Sequence, residues 1–375
     1  MKKIIAMLLS VLMVLSLTAC GGSAAPTATK APATATAPAA DADPAANDAT
    51  WGLTPFAEPQ KLRIGFFTGS PLSYPYLFAE NLGVFDALNI DVEFVCFTGG
   101  PAMMEAGNDW DICSLGLGGV SIGLSAYDYI LYDVNDYEEN LAIFVRPDSD
   151  LANDPANPEL WKGAECVYPT GTTAQAVLAA YLQTMGLSLS DVVSTNADNS
   201  NALTVFSGGT GDVLGCWNAI ALSAEDAGFV RVSDSGKLDI GMMCGSFVHP
   251  AFLAANPELV ATASAVFHLA AEWSAKHLNE ASTMYYDHCE EEGFLCTEEV
   301  AAKTMDWYRG PSVDQYIEKF TTEEDGHLAI ENDILLGYDF FVSEGKYTAE
   351  QRDAWLNAHR VDNSVALAVK ELLGR

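Results

Sequence analysis

From Lys61 onward the chain alternates short apolar runs with helix-like stretches, a pattern that folds as a parallel sheet flanked by helices. Lys61-Leu-Arg-Ile-Gly-Phe-Phe67 reads as a strand, Thr68-Gly-Ser-Pro-Leu-Ser-Tyr-Pro75 as a breaker-rich turn, and 76–85 as a helix. The pattern repeats with a strand over 90–97, the turn Thr98-Gly-Gly-Pro101, a short helix over 102–106, and a third strand over 111–115 that ends in Gly116-Leu-Gly-Gly119. A second unit begins near Leu141, with strands over 141–145, 166–168, 192–195 and 212–217. Within it Thr170-Gly-Thr-Thr173 opens a helix over 174–185 closed by Gly186, with Thr172 or Thr173 as the expected cap. A strand over 239–247 is expected to return to the first unit, and amphipathic helices with acidic faces, 257–278 and 297–308, follow. The expected fold is α/β, with lobe I at 59–140 and 246–375, lobe II at 141–245, two crossings between them and a helical C-terminus. Such a plan puts a ligand between the lobes, at the C-terminal ends of the strands.

Ahead of this body, Lys2 and Lys3, an apolar run over 4–17 and Leu17-Thr18-Ala19-Cys20 compose a leader over 1–19. It resembles the lipobox of bacterial lipoproteins, in which the residue matching Cys20 is acylated. The Ala, Thr and Pro repeats that follow bury nothing and are expected to be a flexible tether over 20–58. The expected product is an extracytoplasmic, lipid-anchored body. A formal charge of -33, from 18 Lys+Arg against 51 Asp+Glu, excludes nucleic acid as a partner.

Seven cysteines follow Cys20. Cys96, Cys113, Cys166 and Cys244 lie in apolar runs and are expected to be small core hydrophobes, whereas Cys289 and Cys296 flank a polar turn and are the pair that a disulfide would join. The six histidines are scattered without H-E-x-x-H, and the acidic stretch 133–139 lacks the glycine and spacing of a calcium loop, so no metal and no cofactor are expected.

Gly119-Val-Ser-Ile-Gly123 matches the nucleophile elbow G-x-S-x-G, with His249 or His268 as nominal partners of Ser121. The pentapeptide is common in small-residue loops, so an exported serine hydrolase is the lesser reading. Thr170-Gly-Thr-Thr173 gathers hydroxyls and backbone N–H groups at a helix start, which favours an anion, and Trp217-Asn218 offers an aromatic wall beside an amide.

Leu62-Arg-Ile-Gly-Phe, Phe97-Thr-Gly-Gly with Met104-Glu-Ala-Gly107 and Trp110-Asp-Ile, Pro169-Thr-Gly-Thr-Thr-Ala, Ala202-Leu with Gly211-Asp-Val, Cys216-Trp-Asn, and Phe252-Leu-Ala-Ala-Asn-Pro-Glu-Leu-Val stand in a distinctive order. The succession resembles the ABC-transporter substrate-binding proteins of the nitrate, sulfonate and taurine type. That resemblance implies a type II periplasmic-binding fold and a monomeric, nonenzymatic receptor that hands a small solute to a permease with its ATPase. It also implies contacts from Ser70, Tyr74, Thr98, Gly99, Leu117 and Gly118 in the first lobe, and from Thr170, Thr172, Thr173, Trp217 and Asn218 in the second. The chain departs from the family at Asn218, where proline is common, and has no Lys or Arg in these loops. A neutral or amine-bearing ligand, including a pyrimidine precursor of thiamine stacked on Phe66, Phe67, Tyr74 or Trp217, is the alternative to a sulfonate. A surface adhesin or scaffold is the reading from another class.

Overall fold

The computed structural model describes residues 48–67, 69–138, 140–238, 240, 242–308, 310–324, 326–343 and 345–375. The leader, Cys20 and the spacer up to residue 47 lie outside the described residues. Packing begins before the first strand: Asp48 accepts from the backbone of Thr50 and Gly52, Leu53 is buried, and Trp51 lies against the core.

Ten strands form two five-stranded sheets. The first contains β1 (Gln60–Phe67), β2 (Ile90–Phe97), β3 (Ile112–Gly116), β4 (Ile130–Glu138) and, far along the chain, β10 (Met242–Val248), in the order β2-β1-β3-β10-β4. The second contains β5 (Leu141–Val145), β6 (Glu165–Tyr168), β7 (Val193–Asn196), β8 (Val213–Trp217) and β9 (Val230–Asp234), in the order β7-β6-β8-β5-β9. In each sheet three strands run parallel through β-α-β steps, and one strand pairs antiparallel with both its neighbours: β10 with β3 and β4, β5 with β8 and β9. The chain passes from the first sheet to the second between β4 and β5 and returns between β9 and β10. Because the strands of a β-α-β step present their C-terminal ends and helix starts on one side, both sheets turn those ends toward the crossings.

Local sequence explains the central strands. β5, β8 and β10 are buried along their whole lengths, as continuous apolar runs require when helices cover both faces. Gly65 of β1 is tightly enclosed: a Cβ there would stand 3.0 Å from the Cys113 Cβ and 3.2 Å from Trp110, whose indole N–H donates to Met103 O at 2.9 Å. β2 is an edge strand: Asp91 and Glu93 are exposed on one of its faces, and Cys96 is exposed on the other, near the end of the strand. The exposure of Cys96 is contrary to the expectation from its apolar neighbours. Cys113, Cys166 and Cys244 are buried.

The 20-residue helix Pro257–Lys276 covers the first sheet and brings a polar network into the core. His268 Nε2 lies 2.7 Å from Asp133 Oδ1 and its Nδ1 lies 2.8 Å from Pro311 O, while Ser264 donates to Asp133 Oδ2 at 2.5 Å. The Pro311 carbonyl can only accept, so Nδ1 donates to it, while Nε2 faces the Asp133 carboxyl. Both side chains are fully buried, so neither can exchange the other for water. Asp133→Ala removes one partner and leaves the imidazole and Ser264 without their acceptor; urea denaturation is expected to show a loss of about 3–5 kcal/mol, as for other broken buried pairs.

Candidate functional site

Where the strand ends of the two sheets meet, Phe67, Gly100, Pro101, Gly116, Gly118, Gly119 and Glu138 from the first side face Thr172, Thr173 and Trp217 from the second. The free volume between them is about 20 Å³, room for roughly one water. At Gly118 backbone meets backbone. A Cβ on Gly118 would lie 2.8 Å from Gly171 O and 2.8 Å from the Thr172 Cα, so glycine is the residue that lets the two sides touch.

Three helices begin at this cleft: Leu117–Ala126, Thr173–Thr184 and Asn218–Asp226. Their N-cap residues Gly116, Thr172 and Trp217 make no side-chain capping bond. The expectation that Thr172 or Thr173 caps its helix is corrected here. Thr172 Oγ1 donates to Pro169 O at 2.7 Å, and Thr173 Oγ1 donates across the cleft to Glu138 Oε2 at 3.3 Å. Helix-start N–H groups and positive dipole ends are thus left facing the cleft, an environment that favours an oxyanion.

Of the contacts that the sequence suggests, Gly118, Thr172, Thr173 and Trp217 line the cleft together. Asn218 is fully buried just behind Trp217, with φ +50° and neither side-chain atom hydrogen-bonded. Proline holds φ near about -65° and has no N–H, whereas Asn218 takes the left-handed region and donates its N–H to Asn140 O; the departure from the family pattern is built into this turn. Leu117 turns away from the cleft into the notch at Gly337, where a Cβ would stand 1.9 Å from its Cδ2. Ser70 is buried with its hydroxyl unpartnered, and Tyr74 is buried against Tyr285, ring centroids 4.5 Å apart, with its hydroxyl accepting from Gly69 N. Thr98 is exposed and Gly99 half-buried before the Gly100–Glu105 helix, and Thr170 is exposed and tied to Asn196 Oδ1. Among the aromatic candidates, Phe67 and Trp217 reach the cleft, while Phe66 packs on Phe94 and His288.

The G-x-S-x-G match lies inside the helix Leu117–Ala126 rather than on a strand-to-helix turn. Ser121 is fully buried with no hydrogen-bond partner. His268 is engaged by Asp133 and Pro311 O, and His249 by Gly107 O and the Trp110 ring, so neither serves Ser121.

Two charged residues that sequence reasoning missed define the electrostatics. Glu138, the last residue of β4, is 2% exposed at the cleft. Burial pushes its carboxyl up from 4.5 to about 7, with hydrogen bonds from Cys244 and Thr173 limiting the rise. The Cys244 thiol is pushed far up by burial and by Glu138, so it stays protonated. Lys346 follows the helix Ala329–Ser343, and its ammonium lies over the Phe341 ring and donates to Gly171 O at 3.2 Å. Burial pushes it down from 10.5 to about 8. The signal for Glu138 was available in Asp133-Val-Asn-Asp-Tyr-Glu138, where strand alternation puts Asp136 and Glu138 on one face. Lys346 gave none, since it meets Gly171 only through tertiary packing.

No protein-family model and no curated protein matches the chain. Solved structures are. The alkanesulfonate-binding protein SsuA from Xanthomonas axonopodis pv. citri bound to MOPS is 16% identical, with TM-score 0.66 over 82% of this chain and 100% of that one. The periplasmic aliphatic sulphonate binding protein SsuA from Escherichia coli is 19% identical, with TM-score 0.58 over 78% of this chain and 92% of that one. The desulfurization enzyme DSZB is 14% identical, with TM-score 0.52 over 80% of this chain and 99% of that one. At these identities the likeness is one of fold: the chain has the two-lobed α/β type II periplasmic-binding fold.

Gly118→Val wedges the cleft at its tightest point. It is expected to shift closure against the closed form by about 1–3 kcal/mol, or about 5- to 150-fold, read as a larger radius of gyration in small-angle scattering while far-ultraviolet dichroism stays native.

Proposed function

We propose that this chain is the extracytoplasmic solute-binding component of an ABC importer, lipid-anchored through Cys20 and working as a monomer, and that its solute carries both an amine and an oxyanion such as a sulfonate. The observation that carries the reading is the pairing of Glu138 with three uncapped helix starts across one closable cleft. The helix starts and Thr172 favour the oxyanion, as the sulfonate-binding neighbours suggest. Glu138, with no Lys or Arg among the described residues that line the cleft, favours the amine. The same contacts exist only when the sides meet, so a solute that touches both shifts the population toward closure, and opening releases it to the permease and its ATPase.

The empty closed form is costly at neutral pH. A carboxyl that protonates more readily when buried supports closure fully below about pH 4.5 and loses that contribution as pH rises through about 7. A depressed lysine supports closure above about pH 10.5 and loses that contribution as pH falls through about 8. Between those limits both groups are charged and both oppose closure, so a zwitterion that partners them offsets the penalty. A pyrimidine with an exocyclic amine is the second reading, favoured by the Phe67 and Trp217 walls. Turnover is not expected: Ser121 has no base, and the Cys244 thiol beside the cleft is held protonated.

Titration calorimetry with an aminoalkanesulfonate, the matching alkanesulfonate and the matching alkylamine tests the assignment. The aminoalkanesulfonate should bind best, its affinity should fall as pH drops and Glu138 protonates, and Glu138→Gln should weaken it about 10- to 100-fold while leaving the alkanesulfonate no weaker. Equal affinity for all three, or indifference to Glu138→Gln, would overturn the zwitterion assignment.

A further inference from the structure

Away from the cleft, beneath the turn that follows β1, two thiols meet. Cys289 lies at the end of the helix Leu278–Glu291 and is fully buried; Cys296 lies just beyond the Gly293 turn and is half-exposed. The two thiols hydrogen bond to each other without being joined, so the pairing that the polar turn suggests is present as proximity and not as a bond. Cys289 Sγ is also 3.7 Å from the Tyr74 hydroxyl. That hydroxyl accepts from Gly69 N, which leaves its own proton free to donate to sulfur. Donors aimed at one sulfur stabilise its thiolate, and the Cys289 thiol is accordingly lowered from its ordinary value, with Cys296 the largest cause.

Access is on the other thiol. Cys296 lines a surface groove of about 370 Å³ with Leu203, Thr204, Ser223, Leu295 and Thr297, open to a small molecule. We propose that Cys289 and Cys296 are a reversible dithiol–disulfide site, entered through this groove by a low-molecular-weight disulfide.

The chemistry balances with that oxidant alone. Cys296, which the contact with Cys289 raises from its ordinary value, reacts as its minor thiolate: it loses its proton and attacks one sulfur of RSSR, the R–S–S–R bond breaks, and the departing RS⁻ takes up that proton. Cys289 then attacks the Cys296 sulfur, the bond from Cys296 to SR breaks, and the second RS⁻ takes up the Cys289 proton. Two protein thiols become one disulfide and RSSR becomes two RSH. The turn between the cysteines also bears on β1: the Phe294 ring stands 2.1 Å from where a Cβ on Gly69 would be, and Tyr285 donates to Gly69 O at 3.1 Å. Drawing Cys289 toward Cys296 takes it from Tyr74 and loads that turn.

The test is to incubate the purified chain with oxidised glutathione and read intact mass and peptide maps. The expected result is a loss of two hydrogens per chain, a cross-linked peptide joining Cys289 and Cys296, and full reversal by dithiothreitol; Cys289→Ser should instead retain one glutathione on Cys296. An unchanged mass, a glutathione adduct on the native chain that never resolves, or a cross-link between other cysteines would overturn the proposal.

Discussion

An acidic side chain held out of water, with no Lys or Arg among the described residues that line the cleft, sits where the two sheets of this protein face one another. Glu138 is the end of β4, the last strand before the chain crosses to the second sheet, and it accepts from Thr173, the first residue of a helix on the far side. Burying a carboxylate is expensive, which is why its protonation rises to about 7. The surrounding architecture keeps that cost in place: β10 and β4 are fixed by pairing, Cys244 backs the carboxyl, and the Gly118 contact with Gly171 and Thr172 removes the room that more than about one water would need. A group so arranged is relieved by opening, by protonation or by a partner that brings its own donor.

The remaining parts of the site are consistent with a partner that is bipolar. Helix starts normally satisfy their N–H groups with their own caps, yet the three at the cleft do not. Asn218, buried with an unsatisfied amide, adds a further polar group behind Trp217. Lys346 reaches Gly171 O from outside the strand-end loops and gives up part of its hydration to do so. Positive dipole ends on one part of the cleft, backed by the Lys346 ammonium on Gly171 O, and a carboxyl on another, divide it electrostatically.

Much of the fold was legible because the chain is locally consistent. Strands over 61–67, 90–97, 141–145 and 212–217 lie within a residue or two of their observed bounds, since apolar runs between glycine-rich turns leave little choice. The return strand could be read for the same reason. The helix over 76–85 was read as one and is two, Tyr74–Asn81 and Val84–Ala87, broken at Gly83 with φ +74°. Within the site, the turns with hydroxyls and glycines were legible and the charges were not. Thr172 and Thr173 signal a helix start, but what their hydroxyls bond is decided by Pro169 and by Glu138, one of them 35 positions away. Tyr74 reads as a binding aromatic from its loop, yet Tyr285 and Cys289, more than 200 positions away, bury it.

The central claim is that this cleft retains a small, chemically unchanged solute with both an amine and an oxyanion. Native mass spectrometry of the chain purified without denaturation from a rich extract, followed by denaturation and identification of the released molecule, addresses it directly. The account predicts one noncovalent small molecule per chain, carrying both groups and lost on Gly118→Val. A chain that retains nothing from any extract, or one that releases a molecule with neither group, would contradict it.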